Sequence, residues 1–279
     1  MKLQFYQVDV FTSVPYKGNP VAVIFDADNL SESEMQQIAN WTNLSETTFV
    51  QSSKLGDYKL RIFTPKSELK FAGHPTVGTA FALIKSGKLG LKKKEFIQDC
   101  KAGLLTIRYE NDVVYAKVPA IIALEKRIDS YEIVEAIGCP ITCEPIALDA
   151  GPIWLTFSVA NKNTLNQINI DVEKTCTLSK LAGISGLNIY CIDDNKEVHL
   201  RTFAPILGIH EDPVCGSGHA AVAAHLKISE KKELVGNKYK AYQGSVLGRN
   251  GIVQVIYDGD DIYIGGKSVD VINGTITIK

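Results

Sequence analysis

The chain repeats a piece of itself at long range. Leu60-Arg61-Ile62-Phe63-Thr64-Pro65 returns as Leu200-Arg201-Thr202-Phe203-Ala204-Pro205, an offset of 140 residues. A glycine-punctuated stretch follows each copy after a short turn. The first is Ala72-Gly73-His74-Pro75-Thr76-Val77-Gly78 and the second is Cys215-Gly216-Ser217-Gly218-His219, at an offset of 143. Three residues have therefore been inserted between the blocks. Each stretch runs into small apolar residues, Thr79–Ile84 and Ala220–Ala224. A weaker echo links Gly18-Asn19-Pro20-Val21-Ala22-Val23 with Gly151-Pro152-Ile153-Trp154-Leu155. The period is far above the 20–50 residues of solenoid repeats. The chain thus reads as two structurally similar halves.

Alternating apolar residues mark strands at Gln4–Phe11, Tyr58–Phe63, Leu104–Tyr109, Val113–Val118, Val198–Phe203, Ile252–Tyr257 and Thr275–Ile278. Asp258-Gly259 and Asn273-Gly274 carry hairpin-turn chemistry. Helical signals are fewer. Ser31 and Glu34 have the spacing of a capping box and open a helix running to about Trp41. Pro75 suits the first turn of a helix ending near Gly87, and a second such helix starts near Ser217. Both are apolar nearly all round, so each belongs in the middle of its half. Short strands around one buried helix, twice over, give an α+β architecture with a pseudo-twofold axis. Both glycine-rich turns directly precede the buried helices. Helix N-termini expose unpaired N–H groups and a partial positive charge. Two such ends facing each other across a cleft would hold a carboxylate.

Bulk properties narrow the partner. Thirty basic and thirty-one acidic residues leave a net charge of -1 over 279 residues, too little field to attract a polyanion. No nucleic acid or membrane partner is expected; a small molecule is. No apolar run reaches the length of a membrane span, and Gln4, Gln7 and Asp9 interrupt the opening segment, so it is read as a strand and not a secretory signal. The six cysteines are scattered without paired Cys-x-x-Cys spacing, consistent with reduced thiols and a cytoplasmic location. The segment His210-Glu211-Asp212…Cys215…His219 contains metal-ligand residue types but no usual zinc spacing. Gly73 to Gly78 lacks the Lys-Ser/Thr of a phosphate loop. Neither metal nor cofactor is expected.

The motifs together resemble the phenazine-biosynthesis PhzF-like family, relatives of diaminopimelate epimerase and proline racemase. The matching segments are Val8-Asp9-Val10-Phe11-Thr12 with Gly18–Val23, Asn43-Leu44-Ser45-Glu46-Thr47-Thr48-Phe49, Arg61-x-Phe63-Thr64-Pro65 with Phe71–Thr76, and Glu211–Gly218. They stand in the family's order across most of the chain. The resemblance implies two similar lobes, each a barrel-like sheet around a central helix, a site in the cleft between them, and isomerisation without metal or cofactor. The lobes would cover residues 1–118 and 119–267, with the last strand, about 268–279, returning to the first lobe. A homodimer is also implied. Glu46 matches the family's acid–base glutamate, His74 and Asp212 its polar partners, and Ser217 a substrate-contacting serine. Gly73 and Gly216 match turn positions whose neighbouring amides approach substrate.

Each residue also has a plainer explanation. Glu46 starts a β-type run, where an isolated carboxylate is usually solvent-facing. His74 can be a structural histidine at a turn, and Asp212, before Pro213, a turn or capping carboxylate. The repeat favours site roles for both, with Asp212 orienting His74. Cys215 lies where the cysteine epimerases carry a catalytic thiol, near a helix N-terminus that would lower its pKa. Its counterpart in the first half, however, is Ala72. One thiol cannot serve both faces of a carbon, so Cys215 is read first as a small packing residue.

The function expected is acid–base isomerisation or epimerisation of a small carboxylate-bearing metabolite, with Glu46, His74 and Asp212 catalytic and Gly73, Cys215, Gly216 and Ser217 binding substrate. The alternatives are a cysteine-assisted epimerase pairing Cys215 with Glu46, or a non-catalytic metabolite-binding protein of the same fold.

Overall fold

The computed structural model describes residues 1–90, 92–126 and 128–278; Lys279, at the end of the strand expected to return, lies outside the described residues. The chain forms two units, Met1–Pro119 with Gly265–Lys279, and Ala120–Ile264.

The first unit runs β1 (Lys2–Val10), β2 (Asn19–Ile24), α1 (Glu32–Thr42), β3 (Glu46–Gln51), β4 (Tyr58–Phe63), β5 (Glu68–Leu69), α2 (Gly73–Lys85), β6 (Glu95–Cys100), β7 (Gly103–Glu110) and β8 (Val113–Lys117). The second runs β9 (Ile122–Leu124), α3 (Ser130–Ile137), β10 (Ile146–Asp149), β11 (Ile153–Ser158), α4 (Lys162–Gln167), α5 (Val172–Ala182), β12 (Gly186–Ile192), β13 (Val198–Ala204), β14 (Ile209–Asp212), α6 (Gly216–Ile228), β15 (Lys238–Gln243), β16 (Gly251–Asp258) and β17 (Asp261–Gly266). The last strand, β18 (Ser268–Thr277), pairs antiparallel with β1.

Strand pairing makes the duplication explicit. In the first unit β2 joins β3 in parallel, β3 joins β4 antiparallel, and β4 joins β6 in parallel. In the second, β11–β12, β12–β13 and β13–β15 repeat that parallel, antiparallel, parallel sequence. The repeated Leu-Arg-x-Phe element lies on β4 and β13. Arg61 grips Glu68 through Nε and Nη2 at 2.8 and 2.6 Å, and Arg201 grips Glu211 in the same way at 2.9 and 2.7 Å. Each guanidinium also lies over the phenylalanine two residues on, Phe63 at 5.1 Å and Phe203 at 4.8 Å. The repeat thus preserves a bidentate ion pair stacked on an aromatic ring, a geometry that lysine cannot reproduce.

Both buried helices take the positions their composition predicts. α2 packs against β1, β2, β3, β8 and β18, and α6 against β10, β11, β12, β13 and β16. Close approach of α2 explains a glycine in its middle: a Cβ on Gly78 would sit 2.6 Å from Val21 Cγ1 and 2.7 Å from Val10 Cγ2. The capping box of α1 forms, with Glu34 N–H donating to Ser31 Oγ at 3.3 Å and Ser31 N–H to Glu34 Oε2 at 2.8 Å. Beneath α1 a cluster of Ile24, Met35, Phe49 and Phe63 is fully buried. In the second unit a larger cluster, including Ile133, Phe157, Leu187, Ile189 and Phe203, fills the space under α3 and α5.

One turn expectation fails. Asp258-Gly259 does end β16, with Gly259 at φ +60°, but Asn273 and Gly274 lie inside β18, opposite Tyr6 and Phe5. Nine residues of cross-strand pairing with β1 outweigh the local turn preference of Asn-Gly.

Candidate active site

Glu46 is the first residue of β3, opposite Val21 of β2. Asn43 places it there: it ends α1 in the left-handed conformation, φ 55°, and three residues later β3 begins. His74 is the second residue of α2 and is buried. The two side chains meet, with His74 Nε2 3.3 Å from Glu46 Oε2. Asn19, at the start of β2, brings its Nδ2 amide to 3.5 Å from His74 Nδ1. A donor at Nδ1 leaves the imidazole proton on Nε2, facing the carboxylate.

The Glu46 side chain is only 15% exposed. Oε2 itself is buried and lacks hydrogen-bond alignment with any donor among the described residues. Burial therefore raises the carboxyl pKa from 4.5 to about 7, against a small lowering by the Ser45 hydroxyl. The consequence for stability has a definite sign. Unfolded Glu46 ionises near 4.5 and folded Glu46 near 7, so the native state binds the extra proton between those values. Stability then falls as pH rises through that window and stays low above it. Glu46→Gln removes the penalty. Its melting temperature should equal that of the wild type near pH 4 and exceed it at pH 8, by the equivalent of up to about 3 kcal/mol at 1.36 kcal/mol per unit. A gap that is constant with pH would show that Glu46 titrates normally.

α2 starts without a side-chain cap, because its N-cap is Ala72. The positive end of the helix dipole lies beside His74. Gly73 belongs to that first turn.

In the second unit the corresponding turn is built differently. Cys215 is the N-cap of α6, and its Sγ accepts from Gly218 N–H at 3.3 Å. Cys215 N–H donates to Gln243 Oε1 at 2.8 Å, while Gln243 Nε2 donates to Asp212 O at 2.8 Å. Gln243 thereby pins both sides of the turn. Gly216 and Gly218 are buried, and a Cβ on Gly218 would come within 2.8 Å of both Asn188 Oδ1 and Thr202 Oγ1. Ser217 alone between them is partly exposed, and its hydroxyl accepts from Trp154 Nε1 at 3.0 Å.

The expected lowering of the Cys215 pKa is reversed. The thiol is 4% exposed in a cluster with Leu148, Trp154, Ala221 and Ala224, and burial, with the Asp212 charge, holds its pKa well above the ordinary value. Desolvation outweighs the helix N-terminus. The Asp212 carboxylate accepts from Val214 N–H at 3.0 Å, a contact within its own turn. His219, one turn into α6, has its pKa pushed down to about 3 by burial and stays neutral. Among the described residues no group of three or more His, Cys, Asp or Glu side chains could hold a metal ion, and no helix is long and apolar enough to cross a membrane.

Sequence reasoning therefore brought Glu46 and His74 to one place. It missed three supporting residues. Asn19 lay inside a quoted motif but carried no role there. Trp154 lay inside the weaker echo without a role, and Gln243 had no signal; each acts on the turn that opens α6 from a strand distant in sequence.

Comparison with known proteins supplies the family. The phenazine biosynthesis-like protein pattern (PhzC-PhzF) matches residues 8–274. Antisense-enhancing sequence 1 of Schizosaccharomyces pombe is 38% identical over 97% of both chains. A trans-2,3-dihydro-3-hydroxyanthranilate isomerase of Pseudomonas chlororaphis is 32% identical over 97% of this chain and 98% of its own. The crystal structure of a PhzF-family protein from Enterococcus faecalis superposes with a TM-score of 0.82, at 29% identity and full coverage of both chains. With matching motifs, a duplicated fold shared with a solved member, and a family pattern spanning nearly its whole length, the chain belongs to the phenazine biosynthesis-like family.

Proposed function

We propose that this isomerase moves a proton on a small carboxylate-bearing metabolite without metal or organic cofactor, and that Glu46 carries the proton. One observation supports this above the others: a sheltered carboxyl with a pKa near 7 and an imidazole N–H 3.3 Å from it. A group half-protonated near neutral pH can both accept a proton from carbon and return it. His74 stabilises Glu46 when it is ionised and Asn19 holds the imidazole in the donating tautomer. The positive end of α2 at Gly73, which has no side-chain cap from Ala72, suits a substrate carboxylate, or the enolate-like charge that grows as the proton leaves. The partner is a small carboxylate, not nucleic acid.

The cysteine-assisted alternative is disfavoured by the chemistry of Cys215. A capping thiol with a raised pKa is a poor base at neutral pH. Cys215→Ser keeps a capping oxygen, and should fold and retain turnover within about tenfold of wild type, less than the loss of a general acid–base group. A loss matching that of Glu46 variants, with folding intact, would instead support a chemical thiol.

The function itself is tested by incubating the protein in D2O with a panel of small unsaturated carboxylates. The panel includes trans-2,3-dihydro-3-hydroxyanthranilate, the substrate in the name of the Pseudomonas chlororaphis relative. The expected result is isomerisation of a panel member that Glu46→Gln suppresses. Equal turnover by the Gln variant would refute the assignment.

A further inference from the structure

The second unit gathers a thiol, an imidazole and a phenol. Cys143 lies in the loop between α3 and β10, partly buried, with exposed Thr142 and Glu144 on either side. The loop is clamped to the end of β11. Thr142 N–H donates to Ser158 O at 2.8 Å, the Thr142 and Ser158 hydroxyls pair at 2.8 Å, and Ser158 N–H donates to Cys143 Sγ at 3.1 Å. From α6, His225 brings Nε2 to 3.8 Å from Cys143 Sγ and 3.2 Å from Glu144 O. Its Nδ1 lies 3.0 Å from the Tyr190 hydroxyl. Burial pushes the Tyr190 pKa far up, so the phenol keeps its proton and donates it to Nδ1. The imidazole proton is then on Nε2, facing the sulfur and the Glu144 carbonyl. Two N–H donors converge on one sulfur, and the nucleophile, its imidazole and the group that orients the imidazole form a chain.

We propose that Cys143 is a site of reversible oxidation by small hydroperoxides, with Ser158 N–H and His225 Nε2–H holding the thiolate and Tyr190 fixing the imidazole. The thiol first releases its proton to solvent. The thiolate sulfur then attacks the distal peroxide oxygen. An S–O bond forms and the O–O bond breaks, and the leaving alkoxide or hydroxide takes a proton from water. Sulfur loses two electrons and the peroxide gains them, giving a sulfenic acid and an alcohol or water. A free thiol condenses with the sulfenic acid to give a mixed disulfide and water, and a second thiol releases Cys143.

The electrostatics agree with the geometry. Burial pushes the Cys143 pKa up, but the hydrogen bonds from His225 and Ser158 outweigh it and bring it down to about 7. At pH 7 about half of Cys143 is thiolate, against about one part in a hundred for a thiol near 9. Lower basicity takes back roughly tenfold in nucleophilicity, so the net gain is about fivefold. Burial moves other thiols the opposite way: Cys191 up to about 11, Cys215 well above the ordinary value, and Cys100 and Cys139 also upward.

The test is exposure of the full-length protein to one equivalent of hydrogen peroxide with dimedone at pH 7, followed by peptide mapping. Dimedone is expected first on Cys143, ahead of Cys176, which is also partly exposed and serves as an internal reference. His225→Leu should bring the Cys143 rate to that of Cys176 or below. Tyr190→Phe removes one oxygen, so it leaves a readable test if the leucine variant does not fold, and it should slow Cys143 at least about twofold. Labelling led by Cys176 or Cys139, or a Cys143 rate indifferent to His225 and Tyr190 in folded variants, would overturn the proposal.

Discussion

Glu46→Gln should lower kcat by about 10²–10⁴-fold with KM nearly unchanged, because general acid–base groups contribute on that scale. The substitution preserves the volume and most of the hydrogen-bonding capacity of the side chain at the start of β3. It replaces a carboxyl oxygen with an amide NH2, which cannot take up or release a proton near neutral pH. His74→Gln should cost less, since the imidazole acts on Glu46 in this account and not on the carbon. Its signature is a displaced pH optimum, because the imidazole dipole 3.3 Å from Oε2 no longer favours the ionised carboxylate. The ascending limb, set by ionisation of Glu46, should move to higher pH. Steady-state rates from pH 5 to 9 check both statements. A kcat for Glu46→Gln within about threefold of wild type would mean that another group is the base, since that lies below the usual range for such catalysis.

Arg201→Ala should be among the most destabilising single changes in the second unit, at about 3–5 kcal/mol. The Arg201 and Glu211 side chains are 8% and 3% exposed, so removal of the guanidinium strands a buried carboxylate. It also strips Nη1 from the carbonyls of Leu165 and Ile168, at 3.0 and 2.7 Å. Arg61→Ala makes the matched comparison within the repeat. Arg61 is more exposed, at 15%, and its partner Glu68 keeps a second ion pair with Lys101. That change should cost roughly half as much or less, because the carboxylate left behind keeps a counter-charge. Urea midpoints of the two variants decide this. The Arg201→Met/Glu211→Leu double variant should recover most of the loss, since a well-packed apolar pair avoids the stranded charge. Equal losses at Arg61 and Arg201, or no recovery in the double variant, would show that the ion pair is not the source.

The contrast between these two arginines indicates what the sequence could and could not disclose. The Leu-Arg-x-Phe repeat announced the duplication, because a bidentate ion pair over an aromatic ring demands those residue types at that spacing. The buried helices were legible for a similar reason: Gly78 and the alanines of α6 are what close packing against strands selects. The outer helices of the second unit were not anticipated, although Asp129, Asn161 and Asp171 cap them and Gly138 and Gly183 end two of them. Their apolar faces are short, and periodicity over six to eleven residues is easily lost. Asn273-Gly274 misled in the other direction, because turn preference is local while pairing of β18 with β1 is set by residues at the far end of the chain.

The site followed the same division. Glu46 and His74 were legible through motifs, but the quantity that makes Glu46 a plausible base is its desolvation, which belongs to packing and not to sequence. Cys215 shows the converse. Its position beside a helix N-terminus suggested an activated thiol, and enclosure by Leu148, Trp154 and Ala221 reverses the sign. The support that Gln243 gives to the Cys215 and Asp212 backbone depends on β15 reaching the turn before α6, which no local pattern encodes.

The most direct measurement of the central claim is the mass of substrate and product after turnover in D2O by wild-type protein and by Glu46→Gln at equal, saturating ligand. A proton carried on a partly exposed carboxyl exchanges with solvent during its residence there. Wild type should therefore place deuterium on the carbon that receives the proton, while folded, ligand-binding Glu46→Gln should show isomerisation and deuterium incorporation both slowed by at least about 10²-fold. Deuterium entering at an undiminished rate in the Gln variant would contradict the account.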